Sequence, residues 1–451
     1  MHIDPRELIN RSDMSRLQHL VVAMTVALNA LDGFDVMAIS FASPGIATEW
    51  NTTTLGLGFI LSMELWGMAI GSIALGGLAD HIGRKPTILA CLFAMVIGMF
   101  MVTTTDSLVV LGTWRVITGL GIGGMLAAIN AQAAEFSSES RRPMSIAIMS
   151  AGYPVGGVVG GFIVSRLLEH FDWRVVFYFG TAATALMIPV IWLFMPESVH
   201  WLVRKRPPGV LDRINATMTR LGHNIVSALP DLHHEASRKT FVDIFSKAMI
   251  ATTLLCAVAY FLHITTFYFI LKWVPKLVVD MGFSPASAGD VLTWASVGGA
   301  IGCFSFGWLT RLFDVRKLTL FFFVCSWLAT CLFGQVTPNL VVLSAAVAFA
   351  GYFINSGIVG LYSIVAQVFP THVRASGTGF TVGVGRGGSV LSPIIAGYLM
   401  QGGLELPLVA IIMGTGSILA AGALLFLRMD SGTGQPSADA LAGRMMDRNQ
   451  I

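Results

Sequence analysis

Twelve stretches of roughly 20 or more mostly apolar residues follow one another along the chain, each closed by a short polar or charged break. They cover 17–47, 54–79, 86–105, 107–136, 142–168, 174–195, 248–274, 286–310, 318–336, 339–369, 375–400 and 405–428. Runs of this length predict helices that cross a bilayer, whose hydrocarbon core is about 30 Å thick. Six precede the polar stretch 201–247 and six follow it. The pattern predicts an all-α polytopic membrane protein: a segment 1–16, a six-helix lobe 17–200, a linker 201–247, a second six-helix lobe 248–428 and a tail 429–451. Within the linker, the spacing of Ile, Met and Leu from Val210 to Leu221 predicts a short amphipathic helix, read as lying on anionic lipid or else as a regulatory docking site. The polar tail after Arg428 is expected to be disordered.

Composition excludes a string of soluble domains. Hydrophobic residues make up 55% of the chain and charged ones 12%, so apolar surface faces lipid as well as core. If the N-terminus is cytoplasmic, 22 of the 28 lysines and arginines fall in cytoplasmic segments. The positive-inside rule then puts both termini and the linker in the cytoplasm. The net charge of +3 is thereby a topology signal and gives no reason to expect nucleic acid. Residues 1–16 carry no apolar run, so no cleavable signal is expected. The five cysteines lie in apolar runs without metal-ligand spacing and read as small hydrophobes.

Inside the first run stands Leu31-Asp32-Gly33-Phe34-Asp35. Carboxylates three apart share one helix face. Each costs roughly 2.5 to 3.5 kcal/mol at mid-membrane and needs a cavity, a partner or a proton. Asp32 and Asp35 are therefore the first candidates for a proton site. Glu64, about ten residues into the second run, is a second protonatable site or a polar group of the cavity. Arg386, near the middle of the eleventh run, keeps its charge and reads either as a contact for an anionic substrate or as a structural or gating ion pair. Arg115 reads equally as a ligand or a gating residue. His263 reads either as a proton carrier or as a satisfied interior histidine.

Between runs two and three stands Gly77-Leu78-Ala79-Asp80-His81-Ile82-Gly83-Arg84-Lys85-Pro86, with a worn copy, Gly307 to Lys317, between runs eight and nine. The first resembles the loop signature of the major facilitator superfamily, and a motif repeated in the two halves is how transporter halves are built. Arg115 with Gly119, Gly121, Gly123 and Gly124, Gly152 to Gly161, Pro196 to Leu202, and Val368 to Ala375 resemble further elements of that family. The glycines read as packing positions, not as ligands. Within the superfamily, Asp32-Gly33-Phe34-Asp35, Gly119 to Arg142 with Glu135, and Gly383 to Arg386 resemble the aromatic acid:proton symporters. Sugar porters share the loop but fit Asp32, Asp35 and Arg386 less well.

The resemblance implies two pseudo-symmetric six-helix lobes around a central site, alternating access, no cofactor beyond the proton gradient, a monomer, and a bacterial inner membrane. It implies an aromatic acid and protons as cargo and the lipid bilayer as surroundings. Asp80, Arg84 and Arg141 would form a cytoplasmic latch that breaks as the lobes rock, with Glu135 either in that latch or in proton coupling. Asn130, Gln132, Tyr153, Trp273, Tyr352, Asn355 and Tyr362 lie on spans that line the cavity and are further substrate candidates. No Walker motif is present to support an ATP-driven pump. Alternatives left open are a carrier of a sugar or non-aromatic acid, a drug or metabolite exporter, and a non-transporting sensor of the same fold.

Overall fold

The structure is a computed structural model that describes residues 4–230, 241–247, 249–370 and 373–427. The tail after Arg428, and Thr371 and His372 of the Val368 to Ala375 element, lie outside them. The helices run α1 (Pro5–Arg11), α2 (Arg16–Glu49), α3 (Thr54–Ile82), α4 (Arg84–Val102), α5 (Leu108–Glu135), α6 (Arg142–Leu167), α7 (Arg174–Phe194), α8 (Val199–Lys205) and α9 (Val210–Leu221). After a 3-10 turn, Phe241–Phe245, come α10 (Ile250–Asp280), α11 (Pro285–Leu309), α12 (Val315–Phe333), α13 (Leu340–Val368), α14 (Arg374–Gln401) and α15 (Leu406–Phe426). No strand occurs among the described residues. The twelve long helices, α2–α7 and α10–α15, match the twelve apolar runs.

Polar caps start the spans where the apolar pattern begins. Ser15 and Gln18 form a capping box on α2, Thr53 caps α3, and Asp314 caps α12. The run 248–274 continues as helix to Asp280, because Pro275 removes only one backbone donor and the Lys276–Asp280 ion pair holds the last turn. Eleven of the long helices are apolar enough to cross a membrane by composition. The other, α14, is rich in glycine and serine and carries Arg386; it packs between α3 and α10. Large apolar side chains such as Val109, Leu186, Phe304, Val341 and Phe426 stand exposed on the outside of the bundle, as a lipid-facing surface requires.

Small residues let the helices close. A Cβ on Gly156 would lie 1.8 Å from the Ala30 carbonyl oxygen, so α2 and α6 touch backbone to backbone only because that position is glycine. The same device joins α3 to α5 at Gly119 and α11 to α13 at Gly298, equivalent pairs in the two halves.

The linker helix α9 is amphipathic, but its apolar face does not lie on lipid. Ile214, Met218 and Leu221 are buried against the protein. The linker face also carries α1, whose Asn10 takes hydrogen bonds from Glu139 N and Arg142 Nη2. The opposite end of the bundle is called the far face below.

Candidate functional site

On the linker face, Gly83 joins α3 to α4 at φ +113°, a conformation that side chains resist. The turn delivers Arg84 into a buried network. Its Nη1 donates to the Ala79 carbonyl and to Asp80 Oδ1, each at 2.8 Å, and its Nη2 donates to Glu135 Oε1 at 3.0 Å. Glu135 also accepts from the Ser198 hydroxyl. Glu197 Oε1 accepts from the backbone N–H groups of Arg84 and Ser198, each at 2.9 Å. Burial pushes the Glu197 carboxyl up, against those N–H bonds, which favour its charged form.

Asp80, Arg84 and Glu135 are thus brought together, and two expectations change. Arg141 stands exposed outside the network; its neighbour Arg142 turns inward to the Ala134 carbonyl and Asn10. Glu135 sits in this network and away from the Asp32–Asp35 pair. The network's partners all belong to the first lobe and the start of the linker, so it braces one lobe and does not bridge two. In the second copy, Asp314 caps its own helix and Arg316 donates to the carbonyls of Leu424 and Leu425.

Mid-bundle, Asp32 and Asp35 are buried on α2, and none of their four carboxylate oxygens has a hydrogen-bond partner among the described residues. Beside them is a cluster with no exposed surface: Glu64 lies 2.5 Å from Arg115 Nη2 and 3.4 Å from Lys272 Nζ. Arg115 also donates to the Asp35 main-chain carbonyl at 3.0 Å, and Lys272 donates to that of Val36. Arg115 Nε and Nη1 remain buried without a hydrogen-bond partner among the described residues. Glu64 is thereby the counter-ion of two cations. Arg386 has no acidic side chain within 4.0 Å among the described residues, yet its charge acts on Asp32, Tyr260 and Tyr268.

Aromatic residues of both lobes meet at their boundary. The Tyr260 and Tyr362 hydroxyls are 2.8 Å apart, and Tyr153 of α6 lines the same pocket as Phe267 of α10. A cavity of about 30 Å³ lies between the lobes, lined by Met37, Tyr153, Phe267, Ser296 and Asn355 among others. That is room for a water or two and not for an organic solute.

Several candidates are spent on structure. His263 is satisfied on both nitrogens, by Ser417 and the Ile354 carbonyl, and stacks on Phe323. The Gln132 amide holds the Pro196 carbonyl near the linker face. Asn130 bonds back to Leu126 on its own helix. Trp273 donates to the Pro393 carbonyl, tying α10 to α14, and Tyr352 packs on Phe322 and Phe353 with its hydroxyl taken by Ser305. Sequence reasoning missed Lys272, Tyr260, Tyr268 and Glu197. The signal for Lys272 was its place within the apolar Phe269-Ile270-Leu271-Lys272-Trp273, where a charge needs a partner.

Comparison with known proteins agrees with this architecture. The chain is 26% identical to a gallate transporter of Pseudomonas putida, with 94% of each chain covered. It is 29% identical to the 4-hydroxybenzoate transporter PcaK of the same species, over 86% of this chain and 88% of that one. The inward-open structure of the xylose transporter XylE from E. coli superposes with a TM-score of 0.70 at 15% identity, over 94% of this chain and 99% of that one, a likeness of fold. The Major Facilitator Superfamily model matches residues 25–277 and 256–445. With both halves matched, the chain belongs to the Major Facilitator Superfamily, a family of membrane transporters and not of enzymes.

Proposed function

We propose that the chain imports an aromatic carboxylic acid together with protons by alternating access, across a bacterial inner membrane with both termini in the cytoplasm. The observation that carries the reading is the pair of buried carboxylates, Asp32 and Asp35, unpartnered among the described residues, beside an arginine with no counter-ion within 4.0 Å among them. A proton on that pair removes the cost of burying charge, and release on the other side returns it. Arg386 takes the substrate carboxylate, as a permanent cation suited to bidentate pairing. Tyr153, Tyr260, Tyr268, Tyr362 and Phe267 flank the ring, and the tyrosine hydroxyls suit ring hydroxyls of the kind that gallate and 4-hydroxybenzoate carry. The cargo and the proton gradient suffice without a bound cofactor, and the monomer is the working unit.

The pocket between the lobes is smaller than an aromatic acid, so it must widen to admit one. The test is uptake of labelled aromatic acids into proteoliposomes under an inward proton gradient. Accumulation that collapses with an uncoupler supports the reading. Gradient-independent equilibration without accumulation would sink the symport, and transport of a sugar or amine in preference to every acid would sink the substrate class.

A further inference from the structure

The two lobes meet through few polar contacts, and these cluster toward one side. Thr54 Oγ1 donates to the Gly397 carbonyl, the Leu55 N–H to the Gln401 side chain, and Arg166 lies 3.7 Å from Asp290. Each sits near the far face. Deeper in, Lys272 of α10 reaches across to Glu64 of α3 and to the Val36 carbonyl of α2. Among the described residues this is the ion pair between the lobes in which neither side chain has any exposed surface; Arg166, by contrast, is 66% exposed. The linker-face network stays within the first lobe and its linker.

We infer that Lys272 is a lobe-bridging residue whose charge holds the far side closed, so that its pairing with Glu64 and Val36 sets the balance between closed and far-open states. The inference rests on the alternating-access reading. Parting α10 from α2 and α3 takes both acceptors from the Lys272 ammonium, and a buried ammonium without partners is strongly disfavoured until water enters. Glu64 loses little, because Arg115, on its own lobe, stays 2.5 Å away. The asymmetry makes Lys272 the residue that feels the opening. It also makes the residue testable, since Lys272→Met removes the bridge, fills similar space and leaves no carboxylate orphaned.

The reporter is Ser165→Cys, in a background with the five native cysteines replaced. Ser165 is fully buried near the far end of α6, and its hydroxyl faces Gly289 of α11 across the lobe boundary. The measurement is the rate of maleimide labelling of that thiol in protein reconstituted in nanodiscs, with no substrate present. Lys272→Met is expected to raise the rate roughly 5- to 150-fold, the range of coupling between linked conformations, while Lys272→Arg stays near the parent. An unchanged rate in Lys272→Met overturns the inference, as does an equal rise in Lys272→Arg, which would mean shape and not charge. A parent already labelled at the rate of unfolded protein overturns it too. Labelling needs no transport, so failure of the proton-symport reading is seen separately, in the uptake assay.

Discussion

The Arg115 guanidinium donates to the main-chain carbonyl of Asp35 at 3.0 Å and leaves the Asp35 carboxylate without a hydrogen bond. An arginine this close to an aspartate ordinarily neutralises it, but here Glu64 takes the ion pair. Arg115 therefore anchors α2 through its backbone while the side chain beside it stays free for other chemistry.

Asp35→Asn and Asp32→Asn are accordingly expected to fold at least as well as the parent, since an amide carries no buried charge. Gradient-driven accumulation should fall about tenfold or more, while exchange of substrate between the two sides persists. Counterflow and uphill uptake, measured on the same preparation, separate the two. Loss of both together in a well-folded Asn variant would assign the carboxylates to substrate binding instead.

Replacing Arg386 acts on the substrate and not on the proton. Hydrogen bonds to a charged group contribute about 1.5 to 3 kcal/mol, so Arg386→Gln should raise the KM for an aromatic acid by roughly 10- to 150-fold. Because no acidic side chain lies within 4.0 Å among the described residues, no anion is orphaned and thermal stability should hold. A KM unchanged by the substitution would place the carboxylate elsewhere, with the unpartnered nitrogens of Arg115 the next place to look.

Glu64 predicts the opposite pattern. It lies between Arg115 and Lys272 with no exposed surface. Glu64→Gln leaves both cations without their counter-charge, and breaking a buried pair from one side costs about 3 to 5 kcal/mol. The variant should therefore melt well below the parent in detergent, and below Lys272→Met, which leaves Glu64 still paired with Arg115. Equal melting of Glu64→Gln and Lys272→Met would show that Arg115 does not need the carboxylate.

These residues mark how far the sequence could be read. Length and apolarity alone determine which segments must be helices in lipid, so all twelve runs reappear as long helices. Charge in an apolar run demands a structural answer, which is why Asp32, Asp35 and Arg386 stood out. Partners are another matter. Arg141 and Arg142 are neighbours at a helix start, and a turn of about 100° decides which one points inward. Gln132 and His263 have the chemistry of ligands, and only the fold shows that a carbonyl or a hydroxyl already occupies them. Lys272 was visible as a charge, but its meaning lies in α3, more than 200 positions away in sequence.

The linker-face turn gives a prediction in pH. A Cβ on Gly83 would meet Glu197 Oε2 at 2.3 Å in a backbone already at φ +113°, so Gly83→Ala should cost roughly 1 to 3 kcal/mol. Glu197 itself is held above its ordinary value of 4.5 by burial. A carboxyl raised in the folded state binds its proton more tightly there than in the unfolded chain, so its contribution favours folding at low pH. That contribution is fully present below the unfolded value and is lost as pH rises through the folded one. Glu197→Gln removes the titration while its side-chain oxygen still accepts from the Arg84 and Ser198 N–H groups. The parent's stability relative to Glu197→Gln should therefore fall as pH rises from about 4.5, and melting curves of the two proteins between pH 4.5 and 8 measure the difference. A gap that widened in the parent's favour over that range would mean that the N–H groups and the Arg84 charge outweigh burial, and that the turn is held by an ionised Glu197.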